Sequence, residues 1–326
     1  MNFHQVAGII YLVVGTIGLC HNILVGLVFA TVRQFRKPAL LLMANLCFSD
    51  AIVLFCTGIY GGCRLIFAAE YETITPLDEG IGLLCLVQWW VGCSIFATIA
   101  FNRYIAITRW TEQAKWFSTR KQILYNFVPH LFIWTACGLY FGLVTRDITP
   151  WNNRVATYKF HVVIPERINT VYGTLGCVIQ IVFNTITIRA IGKMRKMQSR
   201  DIATAGMNSS TLRKETKLTI QCIITSVIFC LANLGFQLIF GLQFIIEFKV
   251  YHYMVVQLLW MSNHCINPII YCFYNKPLVN VIASVFGKQV FGLKELATTK
   301  NEPSVKIQAV MSPIMKRIQH NNFVDH

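Results

Sequence analysis

Residues 81–102 read IGLLCLVQWWVGCSIFATIAFN and contain no charged side chain. At a rise of about 1.5 Å per residue they form a helix of roughly 33 Å, which is long enough to cross the apolar core of a bilayer. Arg103 follows directly, in a sequence that is still apolar. An arginine at this position needs a polar partner or water and is a candidate functional residue, although it can also reach the headgroups by snorkelling. The stretch therefore predicts a transmembrane helix that ends at an arginine.

The composition of the whole chain extends this prediction to a polytopic membrane protein. Of the 326 residues, 55% are hydrophobic and only 13% are charged, which is too apolar for a soluble globular domain. The start, Met1–Ala7, has neither a basic segment nor a cleavage site, so we expect the first apolar segment to be retained as a helix. The 12 cysteines lie inside or at the ends of apolar stretches without zinc-site spacing, which predicts neither a secreted disulfide framework nor a zinc site.

Seven stretches are long and apolar enough to cross a bilayer as helices, and we refer to them as spans one to seven. They are Gly8–Ala30, Ala39–Cys63, Ile81–Ile107, Ile123–Val144, Ile168–Ile191, Leu218–Ile246 and Val250–Asn275. A short amphipathic helix after span seven, from Leu278 to Phe286, is predicted to lie on the inner leaflet. We therefore predict an all-α membrane protein: an extracellular segment 1–7, a seven-helix bundle with its membrane-surface helix over residues 8–290, and a cytosolic tail 291–326.

Positive charge is distributed unevenly between the two sets of loops. The loops after spans one, three and five and the tail contain 22 of the 29 Lys and Arg residues, whereas the loops after spans two, four and six contain six. Basic loops stay in the cytosol, which predicts an amino terminus outside the cell and a cytosolic tail. The net charge of +15 therefore suits anionic membrane lipids, and we do not predict nucleic-acid binding. The longest outer loop, Thr145–Arg167, has an alternating pattern that predicts a small hairpin.

Polar residues recur at fixed places along the spans. Span seven contains Asn267-Pro268-Ile269-Ile270-Tyr271, in which the proline kinks the helix and nearby asparagines serve the freed backbone groups. Span three ends in Asn102-Arg103-Tyr104. Further matches are Asn22 and Val25 in span one, Asn45, Leu46 and Asp50 in span two, Trp134 in span four, and Lys214, Glu215 and Phe229 at and in span six. In this order, the motifs resemble the rhodopsin-like (class A) family of G-protein-coupled receptors over residues 8–290.

The resemblance implies a receptor that binds an extracellular ligand and signals to a cytosolic heterotrimeric G protein, in the plasma membrane, without enzymatic activity or a cofactor. The sequence departs from the family's usual motif residues at several positions. These departures are similar to those of nematode serpentine chemosensory receptors, including the class-X-like receptors, and this similarity implies a small-molecule ligand. Asn102 replaces the usual acid before the arginine, and Asn233 and Gly235 replace a tryptophan and a proline. Asp78 replaces the usual disulfide cysteine of span three, and a Cys63–Cys85 pair is the alternative.

The resemblance also implies a switch at the cytosolic ends of the helices. Arg103 would be held at rest and released to the G protein. Without an acid at Asn102, the remaining candidate partner of this arginine is Glu215. Tyr271 would swing inward to support the open state. The candidate switch residues are Asn102, Arg103, Tyr104, Glu215, Asn267, Pro268 and Tyr271.

Asp50 is the only carboxylate within the seven spans. By resemblance it forms a polar core with Asn22, Asn263 and Asn267 that can hold a sodium ion, although Gly92 replaces the serine that span three usually contributes. The alternative is a structural aspartate that is protonated or bonded to water, because burial favours the neutral form of a carboxyl group.

Two positions in the sequence exclude two classes of ligand. The aspartate that binds amines in the family falls at Cys85, and span seven has no lysine before Lys276, so we expect neither a biogenic amine receptor nor an opsin. We predict an apolar, aromatic pocket for a small neutral ligand, with helix packing as the alternative reason for the aromatic stripe. The candidate lining residues are Cys85, Leu86, Trp89, Trp90, Asn233, Phe236 and Gln237.

Other functions remain as alternatives. A transporter or channel would need paired charges within the membrane or broken helices. Apart from the carboxyl group of Asp50, the spans contain no such feature. An intramembrane enzyme would need paired catalytic groups, but His130, His252 and His264 have no matching group beside them, so we interpret them as bonded core residues. A receptor relative that no longer signals is the nearest alternative.

Overall fold

The computed structural model describes residues 2–67, 75–140, 151–152, 157–158, 163–198, 209–242 and 249–290. In this part of the chain, all seven predicted spans are helical. Their bounds are Phe3–Thr31, Pro38–Phe67, Pro76–Thr108, Thr119–Leu139, Val163–Gln198, Ser209–Leu242 and Val250–Tyr274. A further helix, Lys276–Val290, follows span seven and is called the tail helix below. The predicted all-α fold class is confirmed.

Local sequence explains where several of these helices begin. Span one starts with a capping box, in which the Asn2 side chain accepts a hydrogen bond from the Gln5 amide at 2.9 Å. Span two has Pro38 at its first position, where a missing N–H is harmless. Span three combines Pro76 with a second capping box between Thr75 and Asp78. Because span one begins at Phe3, most of the predicted outer segment 1–7 is already helical.

Five of the described helices are long and apolar enough to cross a membrane by length and composition alone. They are Phe3–Thr31, Pro38–Phe67, Pro76–Thr108, Arg167–Met194 and Arg213–Leu238. Span four has a shorter apolar part, Ile123–Leu139, and its predicted end at Val144 lies outside the described residues. Span seven is 25 residues long, and its buried polar residues lower its mean hydropathy; they are Gln257, Asn263, His264 and Asn267.

Spans one and two approach so closely that only glycine fits between them. A Cβ atom placed on Gly15 would lie 2.5 Å from the Gly58 Cα. Gly58 belongs to a π-helical turn, Phe55–Tyr60, that interrupts span two. The additional residue of such a turn rotates the rest of the helix by about 100°. Tyr60 ends this turn and Arg64 lies one helical turn after it, so the π turn decides which way these two side chains point.

Several side chains that face away from the bundle are large and apolar, as lipid contact requires. Examples are Ile17, Phe132, Val171, Leu231 and Phe273. Spans five and six continue past their apolar parts as helix, from Val163 to Gln198 and from Ser209 to Leu242. The predicted end of span six at Ile246 lies outside the described residues.

Two smaller elements were also predicted. In the loop between spans four and five, which is predicted to be an outer one, Trp151–Asn152 pairs antiparallel with Thr157–Tyr158, as expected for a small hairpin. The tail helix is longer than the predicted Leu278–Phe286. The chain divides into two compact units, residues 1–281 and 282–326. The first contains all seven spans. Of the second, the structure describes only the helical residues 282–290, so the predicted tail 291–326 lies outside the described part.

Candidate functional site

Arg103 is buried at the predicted cytosolic end of span three and is paired with an acid of span six. Its Nη1 atom lies 2.8 Å from Glu215 Oε2. The arginine side chain is only 2% exposed and that of the glutamate is 21% exposed, so the pair is partly shielded from water. A charge pair in such surroundings is stronger than one on an open surface, but it also has to offset the loss of hydration. The contact joins spans three and six directly.

Asn102 is the second partner of the arginine. Its Oδ1 atom accepts hydrogen bonds from Arg103 Nε at 3.2 Å and from Arg103 Nη2. The Asn102 Nδ2 atom is buried and has no hydrogen-bond partner among the described residues. The asparagine therefore binds the guanidinium through a single neutral oxygen, whereas Glu215 supplies the negative charge.

The other candidate switch residues lie near this pair but contact different helices. The Tyr104 ring packs against Phe183 of span five, with ring centroids 5.4 Å apart. Tyr271 is buried and packs against Phe29 of span one at 5.8 Å. Pro268 lies inside the span seven helix, as predicted from its sequence. A movement of Tyr271 toward span three remains a prediction.

Asp50 is the centre of a buried polar core between spans one, two and seven. Its Oδ1 atom lies 2.6 Å from His264 Nδ1, and its Oδ2 atom accepts a hydrogen bond from Asn267 Nδ2 at 2.8 Å. Asn22 donates to the backbone oxygen of His264 at 2.9 Å and to that of Gly18 at 3.0 Å. These contacts hold spans two and seven together through side chains and span one to span seven through the backbone.

His264 corrects the sequence interpretation, which left it without a matching group. The structure places it opposite Asp50, with its side chain buried. His264 precedes Asn267 by three residues, so both lie on one face of span seven. That spacing was a usable signal once Asn267 had been assigned to the polar core. The other two histidines are hydrogen-bonded as interpreted, His130 to Asn45 at 2.9 Å and His252 at the start of span seven.

The remaining polar-core residue, Asn263, is buried, and neither atom of its amide group has a partner among the residues described. A sodium ion does not fit the contacts at Asp50. Asn267 donates to one carboxylate oxygen and the Nδ1 atom of His264 lies 2.6 Å from the other, so side chains of span seven already engage both oxygens. Gly92 adds no oxygen ligand, and the nearest atom to a Cβ placed on it is Leu46 Cδ1 at 3.9 Å.

The predicted ligand-pocket residues divide into groups. Trp89 is the centre of an aromatic cluster: it stacks on Phe229 of span six at 5.4 Å and meets Trp260 of span seven edge-on at 5.6 Å. Phe236 joins this cluster through Trp260 at 5.7 Å. Leu86 is buried on span three. The structure thus brings predicted residues of spans three and six together around Trp260, which sequence reasoning missed.

A second group binds span five. Trp90 Nε1 donates to Asn169 Oδ1 at 2.9 Å, and Gln237 Oε1 accepts a hydrogen bond from Thr170 at 2.8 Å. Asn233 donates to the sulfur of Cys177 at 3.2 Å. Cys85 packs elsewhere, in a core cluster with residues of spans one, two and seven, among them Tyr11, Leu54 and Met261. Its assignment to the aromatic pocket is not supported by these contacts.

Comparison with known proteins decides the family. The model of the family described as "7 transmembrane receptor (rhodopsin family)" matches residues 21–271, which is more than half of the chain. The chain belongs to this receptor family. It is therefore a multi-pass membrane receptor, in a family of receptors rather than of enzymes.

Individual matches include receptors, opsins and one exporter. A probable G-protein coupled receptor of Caenorhabditis elegans is 22% identical over 84% of this chain and 65% of its own length. An arginine exporter protein of Serratia proteamaculans is 31% identical over 38% of this chain and 60% of its own length. A compound eye opsin of Hemigrapsus sanguineus is 31% identical over 31% of this chain and 27% of its own length. The chain thus spans less than two thirds of each relative. The crystal structure of squid rhodopsin superposes with a TM-score of 0.72 at 18% identity, over 87% of this chain and 80% of that one. That likeness confirms the seven-transmembrane fold.

One cluster of this receptor was not predicted. Asp78, at the predicted outer end of span three, is fully buried, and its Oδ1 atom lies 3.0 Å from Arg64 Nε. The Tyr60 hydroxyl donates to the same oxygen at 2.7 Å, and the Thr75 amide and hydroxyl donate to the other at 2.8 and 2.7 Å. The alternative Cys63–Cys85 disulfide was wrong, because both residues are unbridged. The position that carries a disulfide cysteine in the resembling family thus carries a buried ion pair here.

Proposed function

We propose that this receptor transmits the binding of an extracellular small molecule to a cytosolic heterotrimeric G protein across the plasma membrane. The observation that carries the proposal is the Arg103–Glu215 pair, 2.8 Å long and largely buried, between the predicted cytosolic ends of spans three and six. Such a pair has two arrangements, closed and open, and a G protein that bound the open arrangement would shift the population toward it. The membership of the chain in the rhodopsin-like receptor family supports this proposal.

In this proposal each candidate residue has a role. Arg103 is the group that the G protein meets, and Glu215 and Asn102 hold it at rest. Tyr104, Pro268 and Tyr271 shape the surface that opens when span six moves. Asp50, Asn22, Asn263 and Asn267 form the polar core that repacks between the two states. The predicted pocket residues Leu86, Trp89, Trp90, Asn233, Phe236 and Gln237 receive the ligand.

The topology and the ligand class belong to the same proposal. We place residues 1–7 outside the cell, residues 8–290 in the receptor domain and residues 291–326 in the cytosol, where the basic loops meet anionic lipids. The aromatic cluster around Trp89 suits a small neutral ligand rather than an ion. The nearby polar groups are also neutral: the amide oxygens of Asn169 and Gln237 accept hydrogen bonds from the Trp90 indole and the Thr170 hydroxyl. The resemblance to nematode serpentine chemosensory receptors supports a chemosensory role.

The proposal is tested by expressing the receptor with a calcium reporter and screening volatile and soluble metabolites. We expect at least one small neutral compound to give a response that Arg103→Ala abolishes at equal surface expression. Arg109→Ala is the matched control, because Arg109 is 54% exposed and pairs only loosely with Glu112, at 3.6 Å. A response that survives Arg103→Ala would contradict the assigned role of the arginine.

A receptor relative that no longer signals is the second candidate function. The observation that favours it is the set of departures from the family's usual motif residues, at Asn102 in span three and at Asn233 and Gly235 in span six. Such a relative would show neither ligand-driven nor ligand-free turnover of any G protein, even though it reaches the cell surface.

A further inference from the structure

We infer that His264 is a relay residue that couples the indoles of Trp89 and Trp260 to the carboxylate of Asp50. The inference rests on the proposed function, because it assigns the route by which a ligand in the aromatic cluster would reach the polar core. It concerns a contact within the protein, however, and can be measured without a ligand or a G protein.

The position of the His264 ring is determined from three sides. Its Nδ1 atom lies 2.6 Å from Asp50 Oδ1. Trp89 and Trp260 stand nearly perpendicular to the imidazole, at interplanar angles of 79° and 77°, with ring centroids 5.7 and 5.4 Å away. The side chain is 5% exposed. Its Nε2 atom is buried without a hydrogen-bond partner among the described residues, so packing alone positions that edge of the ring.

The two indoles that contact His264 pack in turn against further aromatic side chains. Trp89 stacks on Phe229, which in turn packs against Phe96 at 4.6 Å. Trp260 packs against Phe236, a predicted pocket residue. Spans three, six and seven therefore all have an aromatic side chain within two contacts of His264. A ligand that displaces any of them changes the space left for the imidazole.

Span six lacks the tryptophan that is usual in the family, so the contacts between tryptophans and His264 are specific to this chain. Span six has Asn233 where the resembling receptors usually have a tryptophan, and that asparagine is bonded to Cys177 of span five. The two tryptophans that meet His264 belong instead to spans three and seven. Because protein interiors are close-packed, a rotation of either indole has to be met by a movement of the imidazole.

A rotation of the imidazole acts on Asp50 because a hydrogen bond depends on direction. An N–H donor loses most of its interaction when its angle falls toward 120°. Asp50 would then keep only the Asn267 donor, which comes from the same helix as His264. Spans two and seven would lose one of the two side-chain contacts that hold them together at this carboxylate. His264 is thus a positioning residue between pocket and core.

The test uses the full chain, labelled with 5-fluorotryptophan and solubilised in detergent, and measures the 19F resonances of its seven tryptophans. Trp89→Phe and Trp260→Phe assign the two relevant signals. We expect Asp50→Asn, which replaces one carboxyl oxygen by an amide nitrogen while keeping the shape, to shift both signals. In the background of His264→Leu, the same Asp50→Asn change should leave both signals in place.

Two controls separate coupling from a general disturbance. The resonance of Trp134, which is 39% exposed on span four, should not respond to Asp50→Asn in either background. His130→Leu removes a histidine that is bonded to Asn45 rather than to Asp50, so the Asp50→Asn shift should persist in that background. Equal shifts with and without His264 would overturn the relay, as would the absence of any shift in the otherwise unaltered chain.

A second variant keeps the inference testable if His264→Leu does not fold. His264→Asn can still donate to Asp50, because its amide nitrogen lies near the position of Nδ1, but it has no ring between the indoles. We expect this variant to fold and to lose the Asp50→Asn shift, and a retained shift would overturn the relay. Failure of the whole receptor to signal would contradict the proposed function and leave this NMR result unchanged.

Discussion

Arg64 Nε lies 3.0 Å from Asp78 Oδ1, and this ion pair joins the end of span two to the first turn of span three. The Asp78 side chain is fully buried, and both of its oxygens accept further hydrogen bonds, from Tyr60 and from Thr75. A buried carboxylate with several donors and a guanidinium is a stable arrangement. An asparagine at this position would remove the ionic part of the contact with Arg64 and would turn one acceptor oxygen into a donor that faces other donors. The pair therefore links the two helices without a covalent bond.

We predict that Asp78→Asn destabilises the receptor, by about 3 to 5 kcal/mol if the pair behaves as a buried one. Partial exposure of Arg64, at 18%, places the expected loss at the lower end of that range. The measurement is thermal unfolding of the purified protein in detergent. Glu79→Gln in the same helical turn is the control and should have a small effect. A reductant should not lower the unfolding temperature of the unaltered receptor, and a large reductant effect would show that a disulfide stabilises it instead.

The contact between spans one and two leads to a second stability prediction. A Cβ atom on Gly58 would lie 2.4 Å from the Gly15 Cα, which is backbone and cannot move aside. We expect Gly58→Ala to force the helices apart and to destabilise the receptor by roughly 1 to 3 kcal/mol. Gly138→Ala in span four is the matched control, because nothing lies within 4 Å of its added carbon. That variant should be neutral or slightly stabilising, since alanine favours helix more than glycine does.

The proposed orientation is tested with epitopes at the two termini. The distribution of Lys and Arg between the loops, 22 against six, predicts an amino terminus outside the cell. An epitope at Met1 should therefore be stained on intact cells, and one after His326 should be stained only after permeabilisation. Staining of both epitopes in permeabilised cells controls for expression, and the reverse pattern on intact cells would contradict the topology.

Properties that depend on local sequence were predictable here. Each span is a long apolar segment. Glu215 was expected to pair with Arg103 because the resemblance implies a resting partner for this arginine and Asn102 is not an acid. The resemblance grouped Asp50 with Asn267, and the two are hydrogen-bonded. The contact of Asp50 with His264, 214 residues away, was missed because it depends on how spans two and seven are rotated. The Arg64–Asp78 pair depends on the π turn Phe55–Tyr60, which apolar periodicity does not reveal.

Asp50 is predicted to take part in switching rather than only in packing. It contacts two residues of span seven through side chains, so its carboxyl group is positioned to influence the relative position of spans two and seven. Asp50→Asn should reduce the response to any agonist found in the metabolite screen while surface expression is preserved. His130→Asn, which alters a polar contact between spans two and four, is the control and should not reproduce the loss. Unchanged signalling at equal expression would show that Asp50 is structural.

The resting position of Arg103 gives the last prediction. Asn102 contributes one neutral oxygen to the guanidinium, whereas an acid at that position would contribute charge and a second oxygen, as in bidentate arginine–carboxylate pairs. The main charged contact is therefore that with Glu215 of span six, at 2.8 Å. If the missing interaction amounts to about 1 to 2 kcal/mol, the ratio of resting to active receptor falls roughly 5- to 30-fold.

We accordingly expect ligand-free activity that Asn102→Asp lowers and Glu215→Ala raises, measured as basal nucleotide exchange on a G protein at matched surface levels. Glu112→Gln is the control, since Glu112 is 44% exposed and its contact with Arg109 is 3.6 Å long. A rise in Glu215→Ala with no fall in Asn102→Asp would mean that Glu215 alone holds the arginine at rest. If basal exchange is absent and Glu215→Ala does not produce it, the resting state is held elsewhere. The contact to break next is then that of Asn233 in span six with Cys177 of span five, because it is a buried polar link between two neighbouring helices.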